Sequence, residues 1–223
     1  MSGQALDDLV VATTARLRLR HKHESDAMAD FLWRRDPEIA RFDGGLPLTK
    51  TFSEFLEYFD RLLRLADPER QMLSLENAEG LHIGNIMFYN ADSARHAAEL
   101  GICIARPEYR GAGLGTEAVV AFLGYIWERL PFRLMYLHTL DWNAPAIHCF
   151  EKAGFSTTAR VLRKGQWFLR MEVRREWWLL WDQEGRFARY RGTCPAGASP
   201  GALPLEGPVQ GAENGTAACR SPI

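Results

Sequence analysis

The segment from Gln71 to Trp127 constrains the fold most. Three apolar runs with strand character, "QMLSLE" (71–76), "LHIGNIMFYN" (81–90) and "AAELGICIA" (97–105), are separated only by the turn-rich stretches "NAEG" and "NADSARH". Strands joined that closely pair as an antiparallel meander. Directly after them come "PEYRGAGLGTEA" and a run from Ala118 to Trp127 that carries no charge. A helix apolar all round is buried on several sides, so this one is expected under the sheet and against a further element or a second subunit.

The flanking sequence extends the pattern. "ARLRLR" (15–20) alternates apolar and charged residues, which predicts an opening, half-buried strand. "AMADFLWRRD" after Ser25 and Asp26, the short "DPEIARF", and "FLEYFDRLLRLAD" behind Thr51 or Ser53 read as helices. Downstream, "FRLMYLHTL" (132–140) reads as a strand and "APAIHCFEKAG" (144–154) as a helix. "FSTTARVLRKGQWFLRMEVRREWW" reads as a hairpin turning at Lys164-Gly165, and "WWLLW" (177–181) as cover for a domain edge or a dimer seam. The expected architecture is mixed α/β (α+β): a mostly antiparallel sheet of about seven strands with helices on both faces. Residues 1–14 are expected to be an extension, 15–185 the domain and 186–223 a tail. From Gly192 onward the chain has six Gly, five Pro and no aromatic residue, too little apolar surface to offset the entropy of ordering.

Composition excludes several function classes. A net charge of -1 gives no general attraction to nucleic acid or to an anionic membrane. Asp7, Asp8 and three arginines stand in the first twenty residues where a secretion signal would need an apolar block, so a cytoplasmic location is expected. The four cysteines show no CxxC spacing and His21-x-His23 is the only tight histidine pair, which supports neither a disulfide framework nor a metal site.

The glycines at 111, 113 and 115 raise the question of a phosphate. "RGAGLGT" (110–116) matches neither the dinucleotide fingerprint nor the Walker loop. Glycines still let backbone approach a ligand, and the free N–H groups of a first helical turn face an anion favourably, so a pyrophosphate is a natural guest. On spacing alone, a turn without a ligand fits as well.

Two motifs in order decide between these. "RGAGLGT" fits [RQ]-x-x-G-x-[GA], and "NAPAIHCFEKAGF" (143–155) resembles N-x-x-A-x-x-x-Y-E-K-x-G-F. Over roughly residues 15 to 176 the chain resembles the GNAT superfamily of N-acetyltransferases, in the branch with the ribosomal-protein-alanine and antibiotic enzymes. The resemblance implies a splayed sheet and acetyl-CoA as co-substrate. It implies that the pantetheine arm lies in the splay beside Ile102 and Ile104. The pyrophosphate would rest on the backbone of Arg110, Gly111, Ala112, Gly113, Leu114, Gly115 and Thr116. Asn143 is implied as a pantetheine contact, and its place also suits a helix cap.

For chemistry the resemblance nominates Glu99 as base, with His138 second; a solvent-facing strand carboxylate and a satisfied half-buried histidine are the alternatives. At residue 150 the family commonly has a tyrosine that protonates the departing thiolate. This chain has Phe150 in the cofactor site, without a hydroxyl. The acceptor is expected between the loop of the first helices and the last hairpin. Asp43 and Glu54 would attract a cationic amine there, whereas "RVLRKGQWFLRMEVRR" would repel one or bind an acidic segment. A protein N-terminus, an aminoglycoside, a polyamine and an amino acid all remain open. The implied function is acetyl transfer to a primary amine, in a possible homodimer; a catalytically weak acetyl-CoA-binding regulatory protein is the alternative that Phe150 motivates.

Overall fold

The computed structural model describes residues 9–65 and 67–190. Eight strands, β1 (Val10–Thr13), β2 (Leu17–His21), β3 (Gln71–Asn77), β4 (His82–Asp92), β5 (Ala97–Ile104), β6 (Leu134–Leu140), β7 (Ser156–Arg163) and β8 (Gln166–Arg174), form one sheet. Their spatial order is β1-β2-β3-β4-β5-β6-β8-β7. Every neighbouring pair is antiparallel except β5 and β6. Among the described residues six α-helices accompany the sheet: α1 (Ala27–Arg35), α2 (Pro37–Phe42), α3 (Phe52–Arg64), α4 (Leu114–Arg129), α5 (Ala144–Lys152) and α6 (Arg175–Gln183).

The mixed α/β expectation holds, with corrections at both ends. Among the described residues there are eight strands rather than about seven, and "ARLRLR" supplies the second. The first, β1, lies within the expected extension and pairs with β2 through Val10–Arg20 and Thr13–Arg18. The upper limit at 185 is also too early. Phe187 is fully buried, stacked on Trp178 with ring centroids 4.9 Å apart, and Ala188–Tyr190 forms a 3-10 turn. The tail from 191 onward lies outside the described residues.

Period-two alternation in β2, β3 and β4 builds both faces of the sheet. Leu17, Leu19, Leu73, Leu75, Ile86 and Phe88 belong to the main core with the buried face of α4. The further element against α4 belongs to the same chain: Trp178 of α6 lies 3.9 Å from where a Cβ on Gly124 would stand. Its indole donates to the Ala153 carbonyl at 3.2 Å. "WWLLW" is therefore split, with Trp178 in the core and Trp177 and Leu180 exposed. The Lys164-Gly165 turn is where it was expected, both residues at positive φ (47° and 76°), the combination a two-residue hairpin turn demands.

Arg20 of β2 is a second correction, because it does not face solvent. Arg20 is 2% exposed. Its guanidinium grips Asp26 with two bonds of 2.8 Å and reaches Glu76 Oε1 at 2.6 Å, while Ser74 Oγ donates to Asp26 at 2.8 Å. Lys22 Nζ meets Asp30 at 2.6 Å, and Asn85 donates to the other Asp30 oxygen at 2.7 Å. Helix α1 thus docks through paired charges, and its apolar side joins Phe55 and Phe59 of α3 in a second core.

Burial opposes ionisation of Asp26, but the hydrogen bonds from Arg20 and the charges of Lys22 and His82 outweigh it. Its carboxyl lies well below the ordinary carboxylate range. Removing one partner of such a buried pair leaves an uncompensated charge, so Asp26→Asn is expected to cost about 3–5 kcal/mol. The folded-state value is depressed, so the stabilisation is complete above the unfolded value, about pH 4, and is lost as pH falls below it. Urea unfolding from pH 7 down to pH 3 checks both: the wild-type midpoint should drop below about pH 4 more steeply than that of the variant.

Candidate active site

The parallel ladder between β5 and β6 is short. Ala97 pairs with Leu134, Ala98 with Met135 and Glu99 with Tyr136, and there the register ends although both strands continue. On its other side β5 stays paired with β4 as far as Ile104. From Leu100 onward β5 therefore borders a wedge that opens toward its C-terminus. Ile102 and Ile104, both half-buried, lie along that wedge and pack on the core.

At the open end of β5 the chain makes a 3-10 turn, Pro107–Tyr109, and enters the glycine loop. Gly111 and Gly113 have φ of 76° and 80°, and a Cβ on Gly111 would meet nothing within 4 Å. Gly113 is the N-cap of α4 and supplies no side-chain hydrogen bond, so the first-turn N–H groups are left to other acceptors. Leu114 and Thr116 bury their side chains, and Thr116 Oγ1 donates to Cys149 O at 3.4 Å. Only their backbones remain for a ligand. Gly115 has a packing reason of its own, since a Cβ there would stand 3.2 Å from Cys149 Sγ on α5.

Two arginines brace this loop. Arg110 turns back on the strand it follows, donating to Ile104 O and Ala105 O at 2.9 Å each, with Glu38 at 3.4 Å. On the far side, Arg16 donates to Ala112 O at 2.9 Å and to Glu117 Oε2 at 2.8 Å; Glu117 also accepts from Thr14. No local sequence signal marks Arg16, because its partners lie about a hundred positions away. Ala112 itself contributes that carbonyl. Asn143 Oδ1 accepts from Ala146 N at 3.3 Å as the N-cap of α5, and Phe150 is buried, edge-on to Phe155 at 5.9 Å.

The two nominated bases come together where the ladder ends. His138 Nδ1 lies 2.6 Å from Glu99 Oε1, and Asn90 Nδ2 donates to Glu99 Oε2 at 3.1 Å. On the opposite edge of the ring, Arg163 Nη2 stands 3.0 Å from His138 Nε2. Burial pushes Glu99 upward, but the hydrogen bonds from His138 and Asn90 and the charge of Arg163 prevail, leaving its carboxyl below the usual range. A carboxylate so held is a weak proton acceptor and a good anchor for an imidazole N–H. Neither Asn90, at the left-handed φ of 51°, nor Arg163 was singled out by sequence reasoning.

The expected acceptor walls also meet. A Cβ on Gly44, after α2, would lie 2.5 Å from Phe168 of β8, and Phe42 packs on Trp142 at 5.7 Å. Glu54 is engaged as a helix cap, accepting from Thr51 N and Oγ1 at 2.8 Å. Asp43 is exposed as a residue, yet its carboxyl is crowded enough that desolvation, against the charge of Arg34, pushes it up to about 6. Among the described residues no group of three or more His, Cys, Asp or Glu could hold a metal ion, and no helix is long and apolar enough to cross a membrane.

Comparison with known proteins now adds to this geometry. The chain is 34% identical over 70 residues to the N-acetyltransferase 9-like protein of Nematostella vectensis (31% of this chain, 35% of that one). It is 30% identical over 109 residues to the spermidine N(1)-acetyltransferase of Vibrio cholerae (47% of this chain, 62% of that one). The aligned segments thus span from about a third to under two thirds of these relatives. The crystal structure of the Vibrio cholerae spermidine N-acetyltransferase in complex with CoA and spermine superposes with a TM-score of 0.68 at 22% identity, covering 73% of this chain and 98% of that one. The acetyltransferase (GNAT) domain family matches residues 16–156, and the chain, with its splayed sheet and glycine loop, belongs to that family.

Proposed function

We propose that the chain is an acetyl-CoA-dependent N-acetyltransferase that acetylates a primary amine by direct attack in a ternary complex. The observation that carries this reading is the wedge between β5 and β6, with the Glu99–His138 pair at its closed end and the glycine loop at its mouth. When bound, acetyl-CoA supplies the thioester whose carbonyl carbon the amine attacks. First-turn N–H groups of α4, with the open backbone at Gly111, receive the pyrophosphate; Arg110, anchored on the carbonyls of Ile104 and Ala105, and Arg16, on that of Ala112, hold the loop in shape. A backbone N–H of β5 along the wedge would stabilise the charge that develops on the carbonyl oxygen.

His138 takes the amine proton on Nε2, and Glu99, bonded to Nδ1, fixes the ring and steadies the imidazolium. Glu99 is on this reading a positioning residue. The departing thiolate has no tyrosine to meet it, because Phe150 is packed into the core. That absence is tolerable: with a thiol pKa of about 8.5, protonation at pH 7 gains only about 2 kcal/mol, which water can supply after departure.

Phe150 favours one other reading, a weakly active acetyl-CoA-binding regulatory protein. Thiol release from acetyl-CoA with a panel of amines separates the two: saturable binding with no turnover above background across the panel would sink the transferase. The panel includes N-terminal peptides, which the resemblance to the ribosomal-protein-alanine branch favours, and spermidine, which the relatives' names favour. The site assignment has its own test. Acetyl-CoA at a hundredfold excess over Kd should stabilise the wild type by about 2.7 kcal/mol in a thermal shift. Gly113→Val, which forces a β-branched residue to φ of 80°, should abolish that shift.

A further inference from the structure

The bond from Asn90 to Glu99 needs an irregular backbone. Alternation along β4 puts Ile86 and Phe88 in the main core and would send Asn90, two positions on, to the same side. Glu99 is on the other side, since its neighbours Ala98 and Leu100 are the core residues of β5. The phase of β4 breaks at this point. Its pairing with β5 shifts between Tyr89, opposite Glu99, and Asp92, opposite Ala97. Asn90 takes a φ of 51°, and Ala91 packs on the core in its stead, donating its N–H to Glu69 O at 3.1 Å. An extra residue of this kind re-aims a side chain, and here it lets the Asn90 amide reach Glu99 Oε2 at 3.1 Å. Asn90 is itself exposed, so burial of its own side chain does not offset the left-handed backbone.

That bond commits the second oxygen of a carboxylate whose first oxygen lies on His138 Nδ1 at 2.6 Å. An ionised carboxylate only accepts, so the amide presents its NH2 group and the ring its Nδ1 hydrogen. The terminal torsion of a glutamate is broad, and a carboxylate tied at one oxygen can swing off the ring. Tied at both oxygens, it stays. Tyr136 and Arg163 act on Glu99 as well: the phenol is pushed up by burial and then by the Glu99 charge, while the guanidinium charge favours the carboxylate.

We propose that Asn90 is a positioning residue for acetyl transfer: the bulge in β4 turns its amide onto Glu99 Oε2, which keeps Oε1 on His138 Nδ1 and so leaves Nε2 as the ring atom that takes the amine proton. The inference rests on the transferase reading above, with His138 as the base. Asn90 does not touch the ring, and it acts only through Glu99. Its contribution belongs to the step in which the imidazolium forms, so it should appear in kcat and hardly in the binding of either substrate.

The experiment uses three variants of the full chain, with steady-state rates for the best amine of the panel, melting temperatures, and nitrogen NMR on histidine-labelled protein in which His138→Gln assigns the ring. Asn90→Gly and Asn90→Ala both delete the amide and should lower kcat by about tenfold, the weight of one hydrogen bond to a charged group, with KM for the amine and the acetyl-CoA thermal shift kept. Glycine accepts a left-handed φ and alanine does not, so Asn90→Gly should melt above Asn90→Ala. Equal losses of rate at unequal stabilities separate positioning from folding. Asn90→Asp keeps the shape but sets a second carboxylate against Glu99, and it should lose more than either. In the wild type the ring should be held as the Nδ1–H tautomer, and in Asn90→Gly the Nε2–H form should grow in. A wild-type kcat in Asn90→Gly, a kcat that follows melting temperature across the variants, or an unmoved tautomer would overturn the proposal alone. Acetyl-CoA binding by the wild type without thiol release for any amine would overturn the transferase reading and this proposal with it.

Discussion

Replacing His138 by alanine is expected to lower kcat by about 10²–10⁴-fold, the usual share of a positioned general base. The acetyl-CoA thermal shift should be preserved, because His138 lies at the closed end of the wedge and the glycine loop beyond its mouth. Glu99→Gln should be the milder change. It removes the charge that steadies the imidazolium but leaves an amide oxygen able to accept from Nδ1, so a loss of about 10–100-fold is expected, at or below the lower end of the general-base range. The order of the two losses is informative. If Glu99→Gln proved the more damaging in steady-state rates, with binding intact in both variants, the carboxylate would be the proton acceptor and the imidazole its support.

The second large effect is on the scaffold. Gly84 of β4 lies between β3 and β5, opposite Leu75 on one side and Ile104 on the other. A Cβ there would stand 2.1 Å from the carbonyl oxygen of Cys103 and 3.1 Å from Ile104 Cα. Those are main-chain atoms, which cannot swing aside as a side chain can, so even alanine must part β4 from β5 or distort both. Gly84→Ala is expected to cost about 3 kcal/mol, the upper end for overpacking. In a domain of this size that lowers Tm by about 6–12 °C, measurable by calorimetry. Acetyl-CoA binding should weaken too, because the carbonyls that anchor Arg110 belong to Ile104 and Ala105. Gly80 is the matched contrast: a Cβ there meets nothing within 4 Å, although its φ of 78° still strains a substitution locally. An unaltered melting temperature in Gly84→Ala would contradict the close approach.

Features whose cause is local were the ones legible in the sequence. The glycine loop, the Lys164-Gly165 turn and the cap at Asn143 each follow from residues within a few positions of one another. Pairings across the chain were not legible. Both Glu99 and His138 could be named as rival bases, but nothing in the sequence says that residues 39 positions apart share a hydrogen bond. Arg163 was one cation in a basic run until the fold set it against the ring. The alternation of "LRLR" announced a strand and was silent about how deeply Arg20 is buried; Glu76, 56 positions on, and Asp26 in the next element decide that. Strand β1 escaped notice because four residues, "VVAT", are too few for a period to declare itself.

The short ladder at Glu99–Tyr136 has a mechanical consequence. Strands β1 to β5 form one antiparallel leaf and β6, β8 and β7 another, and among the described residues the ladder between the two leaves is confined to Ala97–Glu99, with His96 O accepting from Arg133 N and Leu134 N just before it. Extending the ladder by a few rungs would make the sheet stiffer and would close the space in which acetyl transfer is proposed to occur. Backbone bonding that the protein leaves unmade between its two leaves is thus available to a guest, which on entering would serve for a time as the missing strand.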